Sequence, residues 1–233
     1  MIVLYELTGA DDARRFSPAV WRVRMALRHK GLAFEGRPWR FTEKEAIAPS
    51  GGGTVPVIVD RGRWVRESFA IAEYLEDAYP DRPSLFGSGE GRALGRFMLA
   101  WVDRTLAFPV SRLILTDIFS HLAEGDRDYF RQSREKRFGR RLEEVCPDPE
   151  AELASIRLLL EPVRRLAAVQ DFMGGGMPGF ADYALYGTFM WARMVSTRLA
   201  LAEDDPLRAW LGRVDRLFDR EGPRALEAAG MRA

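Results

Sequence analysis

Val55-Pro56-Val57-Ile58-Val59-Asp60, continued by Arg61-Gly62-Arg63-Trp64-Val65-Arg66-Glu67-Ser68, is the stretch whose reading decides the fold. An apolar, β-branched run and Trp64-Val65-Arg66 flank an Asp60-Arg61-Gly62-Arg63 turn, the pattern of a β-hairpin. Pro56 cannot donate to a sheet ladder, so at a strand start it marks either an edge position or a cis bond that presents backbone groups to a ligand. Ser68 is expected to cap a helix that carries Ile71, Tyr74, Leu75 and Ala78 and stops before Pro80.

Working outward, Ile2 to Leu7 reads as a strand buried on both faces. Ser17-Pro18 is a strong helix start, because proline's missing N–H is not needed there, and Gly31 is the stop. Val20, Val23 and Leu27 share the face that should meet a sheet. A second strand is expected around Ala33 to Trp39, then a flexible loop from Ala48 to Thr54. The order is β-α-β, a hairpin, then α. Beyond a linker running from Pro80 to Gly91 the periodicity is helical only, over about 90–121, 126–145, 149–169, 180–198 and 204–218.

The 233 residues exceed one ordinary domain, and 47% hydrophobic with 30% charged residues excludes a disordered chain. Thirty-five basic against 34 acidic residues give a net charge of +1, which suggests neither nucleic acid nor an anionic membrane as partner. The single cysteine, Cys146, permits no internal disulfide and no cysteine-based zinc site, and points to a reducing compartment. Met1 to Leu7 lacks a basic n-region and does not read as a signal peptide, and no apolar run is long enough for a membrane span. A cytoplasmic location is the expectation.

The element order with a proline opening the third strand invites comparison with the thioredoxin-like fold. There the site lies where the first helix begins, and here that place holds Ser17 rather than a Cys-x-x-Cys pair. Glu67-Ser68 opens the next helix, where free backbone N–H groups can hold a carboxylate. Together these features resemble the cytosolic glutathione transferase family over nearly the whole chain. The resemblance implies a glutathione-binding thioredoxin-like domain at 1–86 and an all-α domain at 87–233 that forms the second-substrate pocket. It implies that Val55 pairs its backbone with the cysteinyl part of glutathione beside a cis Pro56, and that Glu67 and Ser68 hold the γ-glutamyl end. Ser17 would donate to the sulfur, and Lys44 or Arg40 would meet the glycyl carboxylate. Spacing does not choose between the two cations.

The energetics of the serine role are sufficient. Bringing a thiol from ~8.5 to below ~7 requires about 2 kcal/mol. One hydrogen bond to a charged acceptor contributes about 1.5–3 kcal/mol, and a helix N-terminus a further ~0.3–1 kcal/mol. No general base is needed, which suits a chain whose two histidines, His29 and His121, sit near helix ends without metal-ligand spacing and read as structural. Tyr5 is the rival sulfur-side residue, preferred here as packing, and Cys146 reads as incidental. Gly179 to Asp182 resembles the family's internal capping box with only the Asp182 half retained. Arg131 to Arg141, six basic residues and one acid, reads as a solvated helix face.

Several segments resemble one branch, the bacterial lignin β-etherases: Ser17 to Arg22, Val55 to Val65, Ile71 to Leu75, Tyr79 to Phe86, Asp126 to Glu135 and Glu203 to Leu211. The resemblance implies attack of a glutathione thiolate on the carbon bearing an aryloxy group. Trp101, Phe108, Phe180, Tyr186 and Trp191 are candidate walls of an aromatic cleft, or plain core aromatics. Two departures bear on the substrate: the tract Pro49 to Gly53, and an end at Ala233 short of the etherases' longer tail. General conjugation, peroxidase action and non-catalytic ligand binding stay open. A small hydrophobic aromatic substrate, no metal and a homodimer complete the implied picture.

Overall fold

The computed structural model describes residues 1–231; the last two residues of the expected 87–233 domain lie outside it. Strands β1 (Ile2–Leu7), β2 (Phe34–Trp39), β3 (Val57–Asp60) and β4 (Arg63–Arg66) form one four-stranded sheet in the order β2-β1-β3-β4. β1 and β2 are parallel, which requires a crossover, and α1 (Pro18–His29) supplies it. β3 is antiparallel to both of its neighbours. With α2 (Ser68–Ala78) this is the thioredoxin-like α/β arrangement, and the elements that follow are all helical.

Local signals explain α1. Ser17 Oγ accepts from the Val20 N–H at 3.2 Å, Pro18 holds the first helical position, and Gly31 takes a φ of 62° just past the end. Val20, Val23 and Leu27 are buried, and so are Trp21, Met25 and Ala26, because α1 packs against both β1 and α9 (Phe180–Arg193). Gly187 permits that approach: a Cβ there would come within 2.3 Å of the Pro18 carbonyl oxygen.

Three local expectations are corrected. β1 is not buried on both faces, since Val3 and Tyr5 are only half covered and Tyr5 relies on Trp64, stacked at 5.8 Å. The loop expected from Ala48 begins as a 3₁₀ helix, Lys44–Ser50, which ends at Gly51 with a φ of 73°. Ser68 does not cap α2 but is its first helical residue. Glu67 holds the cap position with a φ of 69° and makes no side-chain capping bond.

The helical half is more broken than its periodicity suggests. The 90–121 helix is α3 (Gly89–Trp101), a π-helical turn over Val102–Leu106, α4 (Ala107–Leu113) and α5 (Leu115–Ser120). Pro109 explains the wide turn, since it offers no N–H to the Thr105 carbonyl and its ring crowds that oxygen. α6 (Glu124–Phe138) stops at Gly139, φ 68°, and the 149–169 helix divides into α7 (Pro149–Leu159) and α8 (Glu161–Ala167) ahead of Pro162. α9 and α10 (Pro206–Asp215) are both shorter than expected. α11 (Glu221–Ala228) escapes the sequence reading because Gly222-Pro223 looks like a breaker, although proline is tolerated in a first turn. Its Glu221 pairs with Arg24 and Arg28 of α1, and Arg24 also pairs with the fully buried Glu6 of β1, at 2.5 Å.

Candidate active site

The register of the sheet collects the candidate residues at one end. Tyr5 of β1 is paired with Val57, so Pro56 and Val55 lie alongside the end of β1. Val57 is in turn paired with Arg66, so Glu67 and Ser68 follow at the same end. The Phe16 N–H donates to the Leu7 carbonyl at 3.2 Å, which sets Ser17 there too. Trp39, the partner of Leu7, carries the Lys44 ammonium over its ring at 4.8 Å.

The Val55-Pro56 bond is cis. β3 is an interior strand, so the edge reading of Pro56 is excluded. Among the described residues neither the N–H nor the C=O of Val55 has a backbone partner. Glu67's positive φ costs of order 1–3 kcal/mol in a non-glycine residue, and strain of this kind persists where a backbone has to be aimed. Its carboxylate is exposed, 3.7 Å from the Arg66 guanidinium, whereas Ser68 is buried in the first turn of α2.

Of the two cations, Arg40 is committed: it donates to the Gly9 carbonyl at 3.2 Å and to Asp12 at 2.7 Å. Lys44 donates to the Gly53 carbonyl at 2.7 Å, lies over Trp39 and Tyr129, and has no carboxylate partner among the described residues. Asp126, which sequence reasoning missed, holds the segment between Trp39 and Lys44. Its carboxylate accepts from the Phe41 N–H at 2.9 Å, the Thr42 N–H at 3.0 Å and the Thr42 hydroxyl at 2.7 Å. In the sequence it looks like an ordinary first-turn acid of α6.

Ser17 opens into a cavity of about 150 Å³ between the sheet end and the helices. Its oxygen already accepts from Val20, so its own proton is available to the cavity. Of the five aromatics expected to line a cleft, only Trp191 lines this cavity. Phe180 and Tyr186 are core residues, Trp101 packs against the core, and Phe108 is 43% exposed on Phe138. Phe16, Phe41, Phe130 and Phe138 supply the aromatic wall instead. The basic run is also corrected. Arg131 pairs with Glu135 and Glu143 as a solvated face would, but Arg134 and Arg137 line the cavity. The spacing Phe130, Arg134, Arg137, Phe138 places all four on one helical face, and this signal was present in the sequence.

The remaining candidates are structural. His29 Nδ1 lies 2.7 Å from the Tyr183 hydroxyl, and burial pushes its pKa down, while Arg28 and Lys30 are the other basic residues at that end of α1. The His121 carbonyl accepts from the Ala10 N–H at 2.9 Å, joining the two halves; a Cβ on Gly9 would meet that oxygen at 2.0 Å. Burial raises the Cys146 thiol pKa. Asp182 accepts from Gly179 N–H at 3.0 Å, Met173 N–H at 2.8 Å and Trp210 Nε1 at 2.8 Å, and its own N–H donates to the Gly179 carbonyl at 3.0 Å, since glycine has no side chain to accept it. No described helix is long and apolar enough to cross a membrane.

Comparison with known families agrees with this architecture. The glutathione S-transferase N-terminal domain model matches residues 16–78, and the C-terminal domain model matches residues 93–220. The chain belongs to the glutathione S-transferase family. Among curated transferases it is 30% identical over 189 residues to the probable glutathione S-transferase GSTU1 of Oryza sativa subsp. japonica, covering 75% of this chain and 70% of the relative. Among solved transferases, GSTFuA2 from Phanerochaete chrysosporium is 28% identical with a TM-score of 0.79, covering 96% of this chain and 97% of the other. Rice GST1 in complex with glutathione is 26% identical with a TM-score of 0.64, covering 93% of this chain and 88% of that one.

Proposed function

We propose that the protein is a glutathione-dependent transferase that holds a glutathione thiolate beside Ser17 and presents it to a single-ring aromatic electrophile. The observation that carries this reading is the shared end of the sheet: the register brings Val55, Pro56, Glu67 and Ser68 to the end where Ser17 stands, Lys44 lies over Trp39 at that end, and Ser17 lines a largely apolar cavity. The residues fit the tripeptide: Val55 has an unpaired backbone, the first turn of α2 has free N–H groups for a carboxylate, and Lys44 rather than Arg40 is the cation without an acid. The Ser17 hydroxyl donates a hydrogen bond to the sulfur, keeping its own proton, and with the helix N-terminus this suffices to stabilise the thiolate. The carbon–sulfur bond forms as the leaving group departs with its electron pair, and the thiol proton passes to solvent.

In this reading 1–86 is the glutathione-binding unit and 87–233 supplies the second-substrate wall. A cavity of ~150 Å³ whose walls are mostly apolar, with Arg134 and Arg137 among them, is of the size that takes up benzene, which favours one ring at a time. Cleavage of a β-aryl ether is the finer form of the proposal, supported by the β-etherase-like segments and by a pocket large enough for one expelled phenolate. A homodimer in a reducing, cytoplasmic setting completes the reading, supported by the family resemblance and the single cysteine. Retention on immobilised glutathione, together with loss of free thiol in the presence of 1-chloro-2,4-dinitrobenzene, is the expected result. Failure to bind millimolar glutathione would overturn it, and binding without turnover of any aryl halide or aryl ether would reduce it to a ligand-binding role.

A further inference from the structure

Most arginines drawn into the interior of this protein meet carboxylates, and Arg14 meets the Met194 and Ala229 carbonyls instead. Arg22 pairs with Asp103, Arg24 with Glu6, Arg164 with Asp205 and Arg193 with Asp215. Arg134 departs from that pattern. Its guanidinium lies over the rings of Phe130, at 4.7 Å, and Phe41, at 5.3 Å, and its one side-chain hydrogen bond is to Ser133 Oγ at 3.0 Å. Arg137, one turn on, lies over Phe138 and Phe108 at 5.7 and 5.9 Å. Neither is in an ion pair among the described residues, and the cavity that both line contains no Asp or Glu. Burial lowers the pKa of Arg134, Tyr129 acts against this, and the neighbouring Arg137 adds to it.

A guanidinium stacked on phenyl rings is held by its faces, and its in-plane N–H edges stay free. Those edges match the two oxygens of a carboxylate. The walls around them are aromatic and aliphatic, and Ser17 opens on the same space. We propose that this cavity selects aromatic electrophiles that carry a carboxylate, with Arg134 as the principal anchor and Arg137 assisting at the mouth. The proposal rests on the glutathione-transferase reading for its nucleophile, but the anion site itself is a property of α6 and the cavity. In the step it serves, the glutathione sulfur bonds to the ring carbon bearing the leaving group, that group departs with the bonding pair, and the carboxylate stays ionised on Arg134 throughout.

The test compares 4-chloro-3-nitrobenzoate with its neutral amide, each rate divided by the uncatalysed reaction with glutathione. The carboxylate should be preferred by about 10-fold or more in kcat/KM, through a lower KM. Arg134→Gln should bring the ratio of the two substrates to near 1, Arg134→Lys should restore part of it, and Arg137→Gln should lower it about 3-fold. Equal rates for acid and amide in the native enzyme would overturn the proposal. So would an Arg134→Gln variant that raises the KM for glutathione equally with both substrates, because Arg134 would then serve the tripeptide. Calorimetric binding of unreactive 3-nitrobenzoate against 3-nitrobenzamide, without glutathione, keeps the two readings apart. Acid-selective binding by a protein that does not hold glutathione would leave this inference standing and sink the transferase reading. Loss of acid selectivity in a protein that binds and uses glutathione would do the reverse.

Discussion

The wall at the end of the sheet and the wall that faces it from α6 are made of different parts. The first is largely backbone: the unpaired peptide groups of Val55, the cis bond to Pro56 and the strained Glu67 at the mouth of α2. The second is side chain: Phe130, Arg134, Arg137 and Phe138 on one helical face, with Trp191 from α9. A backbone wall recognises a peptide-like ligand through groups that every residue possesses. A side-chain wall can change its specificity by single substitutions without disturbing the sheet. On the proposed function, the sheet side would hold glutathione and the helical side would select among second substrates. Asp126 is the join, because it stands on the side-chain wall and fixes the segment that carries Lys44 on the other.

The largest expected effect comes from breaking that join. Asp126→Ala leaves two backbone N–H groups and a hydroxyl without their acceptor, at a cost of about 3 kcal/mol. A melt should move down by roughly 6–12 °C for a chain of this size, and glutathione affinity should fall with it. An unchanged Tm would mean that the walls are assembled independently. Ser17→Ala should lower turnover about 10- to 100-fold, the worth of one charge-assisted hydrogen bond, while retention on immobilised glutathione persists. The pH dependence of the rate should shift upward toward the ordinary thiol range near ~8.5. A shift with no change in maximal rate at high pH confirms thiolate stabilisation, whereas an unaltered profile would transfer that role to backbone N–H groups.

Smaller changes sharpen the backbone side. Lys44→Met should raise the KM for glutathione about 5- to 10-fold with little effect on kcat, as loss of one half-exposed ionic contact predicts. A matching effect from Arg40→Met, which is already paired with Asp12, would contradict the assignment. Glu67→Gly should stabilise the fold by about 1 kcal/mol in denaturant unfolding, because glycine accepts the positive φ, while weakening glutathione binding several-fold. Stabilisation with no loss of binding would detach the strain from function.

How much of this was legible follows from how far each interaction reaches along the chain. The start of α1 was plain because Ser17, Pro18 and Val20 act on one another within a single turn. Pro56 was plain because a proline constrains its own neighbours. Ser68 was misread by one position, since only the backbone angle of Glu67 decides which residue opens α2. The aromatic wall was misassigned because helical spacing gives the faces of a helix but not which face meets a cavity. Phe180 and Tyr186 turned to the core while the face of α6 written off as solvated turned to the cavity. The shielding of Arg134 came from Phe41, far away in sequence, which spacing within α6 cannot reveal.

By itself, then, the sequence determined the β-α-β and hairpin order, the proline strand, the serine at the start of α1 and the all-helical remainder, because caps, turns and periodicity are local. The tertiary structure alone decided that Asp126 would hold Phe41 and Thr42, at separations of 85 and 84 residues, and that Arg134 would face the cavity without an acid. It also decided that Glu6, an acid in the middle of a strand, would be buried between two arginines. A buried charge is stable only where its partner arrives from elsewhere in the chain, so its position takes its meaning from packing.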